Sequence, residues 1–209
     1  MARPEISHAR LTLDRPTLNE VGVLGARSFY DDPFFVYLSD QPRLRVRGLA
    51  LYIRSHLAVL GDAAVSTGAR DTAGTLVGIC VWQRPGTYPL SVGRQAREMA
   101  GAFRALIPRP PSLLTGLRYV RAMELAHPRH EHWYLALLAV DPMVWRRGIG
   151  TSLLEPSLAS IDEEGLPCYL ETQKEGNLAY YRRFGFDETK RLTPSAGGPP
   201  LFTMTRPPR

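Results

Sequence analysis

The stretch over residues 135–151 constrains the fold of this chain more than any other part of the sequence. It opens with LALLAV, an apolar run of strand length, and passes through two arginines into a Gly-Ile-Gly turn. Beyond the turn, apolar residues recur at the spacing of one helix face: Leu153, Leu154, Leu158 and Ile161. The pattern predicts a buried strand, a tight turn and an amphipathic helix that bends at Pro156 and ends by Gly165.

A strand-to-helix turn of this kind can hold an anion. The first N–H groups of a helix have no partner within the helix, and the helix dipole favours negative charge there. Gly148 and Gly150 let a ligand approach the backbone, while Arg146 and Arg147 add positive charge. Tight packing explains a lone Gly-x-Gly equally well, and the segment is neither a P-loop nor a full dinucleotide fingerprint. Phosphate binding is therefore a hypothesis at this point.

The same segment resembles the acetyl-CoA loop of the GNAT N-acetyltransferase superfamily, whose pattern is Gln/Arg-x-x-Gly-x-Gly/Ala. A second block stands at the family's distance: the run YLET over residues 169–172, then Asn177, Tyr181 and Gly185-Phe186. Two blocks in order are far more specific than either one. The resemblance is close over residues 133–186. It departs from the family at Trp145, which stands where the family has Gln or Arg.

The resemblance implies an α/β fold with a central mixed sheet of about seven strands flanked by helices, and residues 1–209 forming a single GNAT-like domain. It also implies that the fourth and fifth strands splay apart so that acetyl-CoA, as co-substrate, enters between them. In this interpretation the backbone of the fourth strand pairs with the pantetheine arm, and the loop and last helix hold the rest of the cofactor. The expected cofactor-binding residues are Leu138, Ala139, Val140, Arg146, Arg147, Gly148, Ile149, Gly150, Thr151 and Asn177.

The implied activity is direct transfer of acetyl from acetyl-CoA to a primary amine in a ternary complex. Tyr181 matches the family tyrosine that protonates the departing thiolate; a core tyrosine is the structural alternative. An alkylammonium is mostly protonated at pH 7, so a base must remove its proton. Glu171 is the first candidate base, because it ends the fifth strand near the splay, and Glu124 and His132 follow.

The acceptor amine cannot be chosen from the sequence. The segments around Trp133 and residues 169–172 look somewhat like the branch that includes puromycin N-acetyltransferase, which favours a small molecule, but a protein amine stays open. The alternative from another class is a GNAT-fold protein that binds CoA or acyl-CoA without turnover, as a sensor or assembly component. Trp145 gives that alternative some support, whereas Tyr181 and Asn177 argue against it.

The charge and composition of the chain limit the classes of ligand that it is expected to bind. The formal charge of +6 and pI near 9.6 suit an anionic ligand. They suit nucleic acid as well, but the basic residues, all arginine except Lys174 and Lys190, are scattered without a basic tract, so we expect no nucleic-acid partner. Cys80 and Cys168 are expected to be buried free thiols on strands separated by another, which fits a reducing cytoplasm. The histidines at 127–132 match no ligand spacing, and no metal is expected.

The remaining pattern predicts the element order. We expect no signal peptide and no membrane span, a first strand over residues 6–13, and helices that start at a Thr17 capping box, at Asp32-Pro33 and at Pro42. The aromatic segment over residues 29–37 is either a core plug or a border of the acceptor pocket. His56 is expected to be a core histidine.

A hairpin at 63–69 and 76–83 precedes a helical insertion over residues 84–130, with helices at 92–106 and 112–125. We expect this insertion to wall the acceptor pocket or to form a homodimer surface. Asn177 is expected to cap the last helix, before strands at 187–192 and 201–205.

Overall fold

One mixed sheet of seven strands organises the molecule. The computed structural model describes residues 5–91, 93–94, 96–97, 100 and 110–209. The strands run in the order β1-β2-β3-β4-β5-β7-β6, with a parallel β4–β5 pair among antiparallel neighbours. This confirms the predicted mixed α/β fold. The strands are β1 (Ser7–Arg10), β2 (Ala64–Arg70), β3 (Leu76–Gln83), β4 (Trp133–Val140), β5 (Cys168–Thr172), β6 (Asp187–Leu192) and β7 (Leu201–Arg206).

Helices cover both faces of the sheet. They are α1 (Arg15–Ser28), α2 (Pro33–Leu38), α3 (Pro42–Leu60), α4 (Pro110–Ala126), α5 (Ile149–Asp162) and α6 (Gly176–Arg182). Apolar side chains of α1 and α3 pack with Ile79, Val81 and Leu137 of the sheet. On the opposite face, α5 and α6 pack with Leu135 and Leu170. Within the described ranges, no helix has the length and apolar character needed to cross a membrane.

Two of the predicted helix starts are confirmed and one is wrong. Asp32 caps α2, accepting from the Phe34 N–H at 3.0 Å, and α3 starts at Pro42 as predicted. Thr17, however, does not cap α1. The cap is Asp14, whose carboxylate accepts from the Thr17 N–H at 2.9 Å, so the helix starts at Arg15. Pro16 fits this first turn because its missing N–H would have no helical acceptor there.

Two other predictions also need correction. Asn177 does not cap α6, which begins one residue earlier at Gly176; its amide instead donates to the Thr172 hydroxyl at 2.9 Å. The first strand is shorter than predicted, covering Ser7–Arg10 only. By contrast, α5 starts at the Gly-x-Gly turn as predicted and continues through Pro156 to Asp162.

The described part of the insertion between β3 and β4 includes one continuous helix. It is α4, which confirms the predicted second helix but begins at Pro110, so Pro110 and Pro111 belong to its first turn rather than to a separating loop. Of the helix predicted over 92–106, the described residues 93–94, 96–97 and 100 are helical, and the others lie outside the described residues. Cys80 and Cys168 are buried free thiols on β3 and β5, with β4 between them, as predicted.

Candidate active site

The parallel strands β4 and β5 separate after two residue pairs. Trp133 pairs with Cys168 and Tyr134 with Tyr169, and the pairing stops there. Each strand keeps its outer partner over its remaining length, β4 with β3 as far as Val140 and β5 with β7 as far as Thr172. A wedge therefore opens inside the sheet, as expected from the splay. We call it the β4–β5 wedge.

A bulge in β4 determines which of its side chains point to each face of the sheet beside the wedge. Val81 pairs with Leu137 and Trp82 with Leu135, so Ala136 is the extra residue. Before the bulge Leu135 belongs to the core under α5, whereas after it Leu137 belongs to the core under α1 and α3. The one-residue shift thus reverses the facing of β4 at the point where the wedge opens.

The backbone of β4 offers alternate residues to the wedge. Asp141 donates its N–H to the Val77 carbonyl at 2.9 Å, and the register then turns the polar groups of Ala139 toward β3 and those of Leu138 and Val140 toward the wedge. Ala139 therefore cannot pair with a cofactor, which corrects the expectation of three consecutive contacts. Alternation along an antiparallel ladder is the reason.

The backbone N–H and carbonyl of Val140 already have hydrogen-bond partners. Its N–H donates to Ser28 Oγ at 3.1 Å, and its carbonyl accepts from the same hydroxyl at 2.8 Å and from the indole N–H of Trp145 at 2.8 Å. Trp145 thus closes the end of β4 instead of presenting a polar group to a phosphate. Trp145 is 47% exposed, and its ring centroid lies 5.8 Å from the Lys174 ammonium.

The turn after β4 is built to bring backbone N–H groups to the surface. Asp141 holds its start, accepting from the Met143 N–H at 3.0 Å and pairing with Arg27 at 2.8 Å. Arg146 and Gly148 both adopt positive φ, +62° and +83°, and no side chain caps α5. The first N–H groups of α5 therefore remain available to an anion, beside the exposed side chains of Arg146 and Arg147.

Close packing leaves no room for a side chain at Gly150. A Cβ at this position would lie 2.9 Å from the Tyr180 hydroxyl. Tyr180 thus packs under the turn, whereas Tyr181, one residue later, faces the cavity and packs on Phe186 with ring centroids 6.0 Å apart. The two adjacent tyrosines diverge as the geometry of a helix requires.

A cavity of about 860 Å³ continues from the wedge to the insertion. Its wall combines β4, β5 and α3 with the described part of the insertion, which confirms that the insertion lines this cavity. Phe29, Phe34 and Phe35 line it too, so the aromatic segment borders the cavity as well as packing. His56 also faces the cavity, beside the Tyr52 ring at 6.0 Å, rather than lying sealed in the core.

Glu171 lies on β5 at the junction of wedge and cavity. Its side chain is 5% exposed and accepts hydrogen bonds from Tyr169 at 2.8 Å on Oε1 and from Tyr134 at 3.2 Å on Oε2. Burial raises the pKa of this carboxyl to about 7, although the two tyrosine hydroxyls oppose the shift. A carboxyl poised near neutral pH can take a proton from a ligand and release it again.

The raised pKa of Glu171 makes folding stability depend on pH. The pKa of this carboxyl rises from 4.5 to about 7 on folding. Its contribution to the free energy of unfolding is therefore fully present below pH 4.5 and is lost as the pH rises through about 7. The full span is on the order of 3 kcal/mol. We expect Glu171→Gln to raise the free energy of unfolding relative to the parent more at pH 8 than at pH 4.5, measured by urea denaturation. Glu124→Gln, a half-exposed carboxyl on α4, is the control; an equal gain at both pH values would contradict the burial argument.

The other two candidate bases are less suited to proton removal. Glu124 borders the cavity but is 50% exposed and pairs with Arg121 at 3.5 Å. Both ring nitrogens of His132 are engaged, Nδ1 with the His130 carbonyl at 2.8 Å and Nε2 with His127 Nε2 at 2.9 Å. His127 was not proposed as a site residue from the sequence, yet its Nδ1 lies 4.0 Å from Oε1 of Glu171. In the described part of the chain, no three His, Cys, Asp or Glu side chains group as a metal site would require.

Tyr181 lines the cavity from α6. It is 8% exposed, and burial raises the pKa of its hydroxyl, so the group stays protonated at neutral pH. Asn177 lines the same cavity and is held by Thr172 at the end of β5. The structure therefore gathers Glu171, Tyr181 and Asn177 around one space, with the Gly-x-Gly turn at the far end of β4.

Residues 63–186 match the family model of the acetyltransferase (GNAT) family. The match runs from β2 past the end of α6 and so contains the wedge, the turn and the cavity residues of β5. The chain belongs to the GNAT acetyltransferase family.

Proteins similar to this GNAT protein include acetyltransferases from several organisms. It is 27% identical over 192 residues to an uncharacterized N-acetyltransferase of Schizosaccharomyces pombe, covering 87% of this chain and 76% of that protein. A histone acetyltransferase and related acetyltransferase from Corynebacterium glutamicum superposes with a TM-score of 0.67 at 20% identity, over 100% and 98% of the two chains. The PaiA N-acetyltransferase of Thermoplasma acidophilum, solved with coenzyme A, gives 0.54 at 15% identity, over 97% and 99%. These structures support the fold, and likeness to the puromycin-acetylating branch stays a prediction.

The glycine turn of this GNAT protein provides a test with a matched control. Gly148 and Gly74 have similar positive φ, +83° and +79°, and an added Cβ meets nothing within 4 Å at either position. Alanine at each should therefore cost about 1 kcal/mol of stability through backbone strain alone. We expect only Gly148→Ala to weaken acetyl-CoA binding, by about tenfold or more in a calorimetric titration, because only that strain moves the N–H groups at the start of α5. Equal affinity in both variants would contradict a phosphate-binding turn.

Proposed function

We propose that this GNAT protein is an N-acetyltransferase that transfers acetyl from acetyl-CoA to a primary amine of a small molecule, with both substrates bound at once. Residues 1–209 act as one catalytic unit in this proposal. The observation that carries it is the position of Glu171, a buried carboxyl with a pKa near neutral at the point where the β4–β5 wedge meets the cavity. Family membership supports acetyl transfer; the geometry of Glu171 supports an amine as the group that receives it.

The cofactor half of the site is proposed from the wedge and the turn. The backbone of Leu138 would pair with the pantetheine arm, and that of Val140 would do so once its bonds to Ser28 and Trp145 open. The N–H groups of Gly148, Ile149, Gly150 and Thr151 would receive the pyrophosphate, with the charge of Arg146 and Arg147 beside them. Asn177, held by Thr172, lies where it can contact the same arm. The tie between Val140 and Trp145 leaves Leu138 as the first backbone partner on β4.

The chemical step follows from three groups. Glu171 as carboxylate takes a proton from the bound ammonium, and the freed lone pair attacks the thioester carbon while the carbonyl oxygen faces the Leu138 N–H. The C–N bond forms and the C–S bond breaks. Tyr181, protonated because it is buried, donates its proton to the departing thiolate. As the amide forms, the positive nitrogen loses a second proton, which passes through solvent to restore the Tyr181 hydroxyl, and the proton held by Glu171 also returns to solvent. The product is a neutral amide, with coenzyme A as the free thiol.

The deciding experiment is thioester cleavage measured with acetyl-CoA and a panel of amines. The panel contains n-butylamine, tyramine, putrescine and a peptide with a free amino terminus. Cleavage that depends on an added small amine, with formation of its acetamide, supports the proposal. Cleavage with the peptide alone would move the acceptor to a protein amine.

A non-catalytic CoA-binding role is the second candidate, and Trp145 is the observation in its favour. Its indole occupies the Val140 carbonyl at 2.8 Å, and it replaces a side chain that the family uses near the pyrophosphate. This candidate predicts calorimetric binding of acetyl-CoA without cleavage in the presence of any amine. The buried carboxyl of Glu171 has no role in such a protein, which is why we prefer the enzyme.

A further inference from the structure

A chain of hydrogen bonds fixes the protonation of two histidines at the cavity wall. The chain begins at the His130 carbonyl, which can only accept, so the Nδ1 of His132 at 2.8 Å carries a proton. Neutral His132 therefore has a bare Nε2. That nitrogen lies 2.9 Å from His127 Nε2, which must be the donor. His127 consequently has its second nitrogen, Nδ1, without a proton.

Both rings are neutral in this arrangement. Burial lowers the pKa of His127 to about 3, and burial likewise lowers the pKa of His132. Packing also holds the His127 ring in place. It stacks on Tyr88 with centroids 3.5 Å apart and meets Tyr169 and Tyr134 edge to face at 4.8 and 5.1 Å. The bare Nδ1 is thus a hydrogen-bond acceptor of fixed direction.

This acceptor faces a second one. His127 Nδ1 lies 4.0 Å from Oε1 of Glu171, too far for a direct hydrogen bond, and neutral His127 forms no ion pair with the carboxylate. A single nitrogen atom placed about 2.8 Å from each would have the two acceptors at an angle of about 90°. This is about 20° narrower than the angle between two N–H bonds of an ammonium, a difference that hydrogen bonds bent by about 10° each accommodate. The gap therefore fits the nitrogen of an alkylammonium.

We propose that His127 Nδ1 and Glu171 Oε1 together hold the acceptor nitrogen, so that His127 is a further substrate-binding residue of the reaction and His132 positions it. This inference rests on the proposed function. In the chemical step, Glu171 takes one N–H proton of the ammonium, and a second N–H continues to donate to His127. As the nitrogen lone pair forms its bond to the thioester carbon, the nitrogen becomes positive and that hydrogen bond strengthens. The arrangement selects amines that keep an N–H after deprotonation.

The test compares variants at His127 in amine-dependent thioester cleavage. The amine is the member of the panel named above that wild-type protein acetylates fastest. His127→Phe keeps a buried ring but offers no acceptor, and we expect the KM for the amine to rise about 10- to 100-fold with the KM for acetyl-CoA unchanged. His127→Gln can donate its amide N–H to the bare His132 Nε2 and turn its oxygen to the amine, so it should recover most of the affinity.

His132→Phe tests the positioning role. It removes the group that keeps the His127 proton on Nε2, so the amine KM should rise less than in His127→Phe. A merely structural role would instead alter acetyl-CoA affinity or thermal stability in both variants without rescue by Gln. That result, or an unchanged amine KM in His127→Phe, would overturn the assignment while leaving the proposed function in place.

The protonation of the His127 and His132 ring nitrogens can be measured in the free protein, without any enzymatic reaction. In a nitrogen-15 NMR spectrum of the free protein, with His127→Gln used to assign the signal, we expect His127 to carry its proton on Nε2 and His132 on Nδ1. A proton on His127 Nδ1 would overturn the inference directly. Absence of cleavage by wild-type protein with every amine would overturn the proposed function itself, and this assignment with it.

Discussion

Replacing Glu171 by Gln should lower kcat for amine acetylation by about 10²- to 10⁴-fold at pH 7.5, the usual contribution of a general base. The substitution keeps the shape of the side chain. One of the two tyrosine hydroxyls, Tyr134 or Tyr169, can still donate to the amide oxygen, and the other can accept from the amide N–H. Binding of acetyl-CoA should stay within about twofold, because the carboxyl belongs to the acceptor side of the wedge. Steady-state kinetics with saturating acetyl-CoA measure the loss.

The pH profile separates this role from a structural one. With the Glu171 pKa near 7, wild-type activity should fall as pH drops below 7, because the protonated carboxyl cannot take a further proton. The Gln variant should lose this acid limb. Retention of the same limb in Glu171→Gln would assign the base elsewhere, with His56, which faces the cavity, as the next residue to replace.

Replacing Tyr181 by Phe should lower kcat by about 10²-fold while leaving the KM for acetyl-CoA within about twofold. Only the hydroxyl is removed, and with it the proton that the thiolate needs on leaving. Tyr180→Phe removes the same atom from the adjacent residue, whose hydroxyl packs against Gly150 instead of facing the cavity. The two variants therefore form a matched pair.

Two further measurements sharpen the Tyr181 test. Acetyl donors with a more acidic thiol should be less affected by Tyr181→Phe, because their thiolate leaves without a proton. Equal turnover by Tyr181→Phe and wild-type protein with acetyl-CoA would reduce Tyr181 to a core tyrosine, the structural alternative that its burial also permits.

The sequence predicted the architecture because its signals are local. Helix α3 starts at the predicted Pro42, β3 spans the predicted residues 76–83, and β4 contains the apolar run predicted to be a strand. Each has an apolar period bounded by proline, glycine or a polar residue. Helix starts were less predictable. Asp14 and Thr17 can both cap a helix in this sequence, and the choice depends on where Pro16 fits in the first turn.

The site was only partly predictable, for reasons of geometry. The two sequence blocks indicated Glu171 and Tyr181, and the fold brings both to one cavity. The bulge at Ala136 has no signal in LALLAV, although it decides which way Tyr134 and Leu137 face. His127 was passed over for a similar reason. Its partners, Glu171 and His132, come together only through the fold, and spacing along the chain shows neither the shared proton nor the facing nitrogen.

In the β4–β5 wedge, two neighbouring strands in the interior of the sheet do not pair with each other beyond Tyr134 and Tyr169. If acetyl-CoA fills that place, the ligand completes the sheet, and the stability of the whole fold then follows the ligand concentration by mass action, about 2.7 kcal/mol at a hundredfold excess over Kd. Amides of β4 and β5 beyond Tyr134 and Tyr169 would exchange with solvent fastest when acetyl-CoA is scarce. The lifetime of the protein in a cell would then report the supply of its own donor substrate.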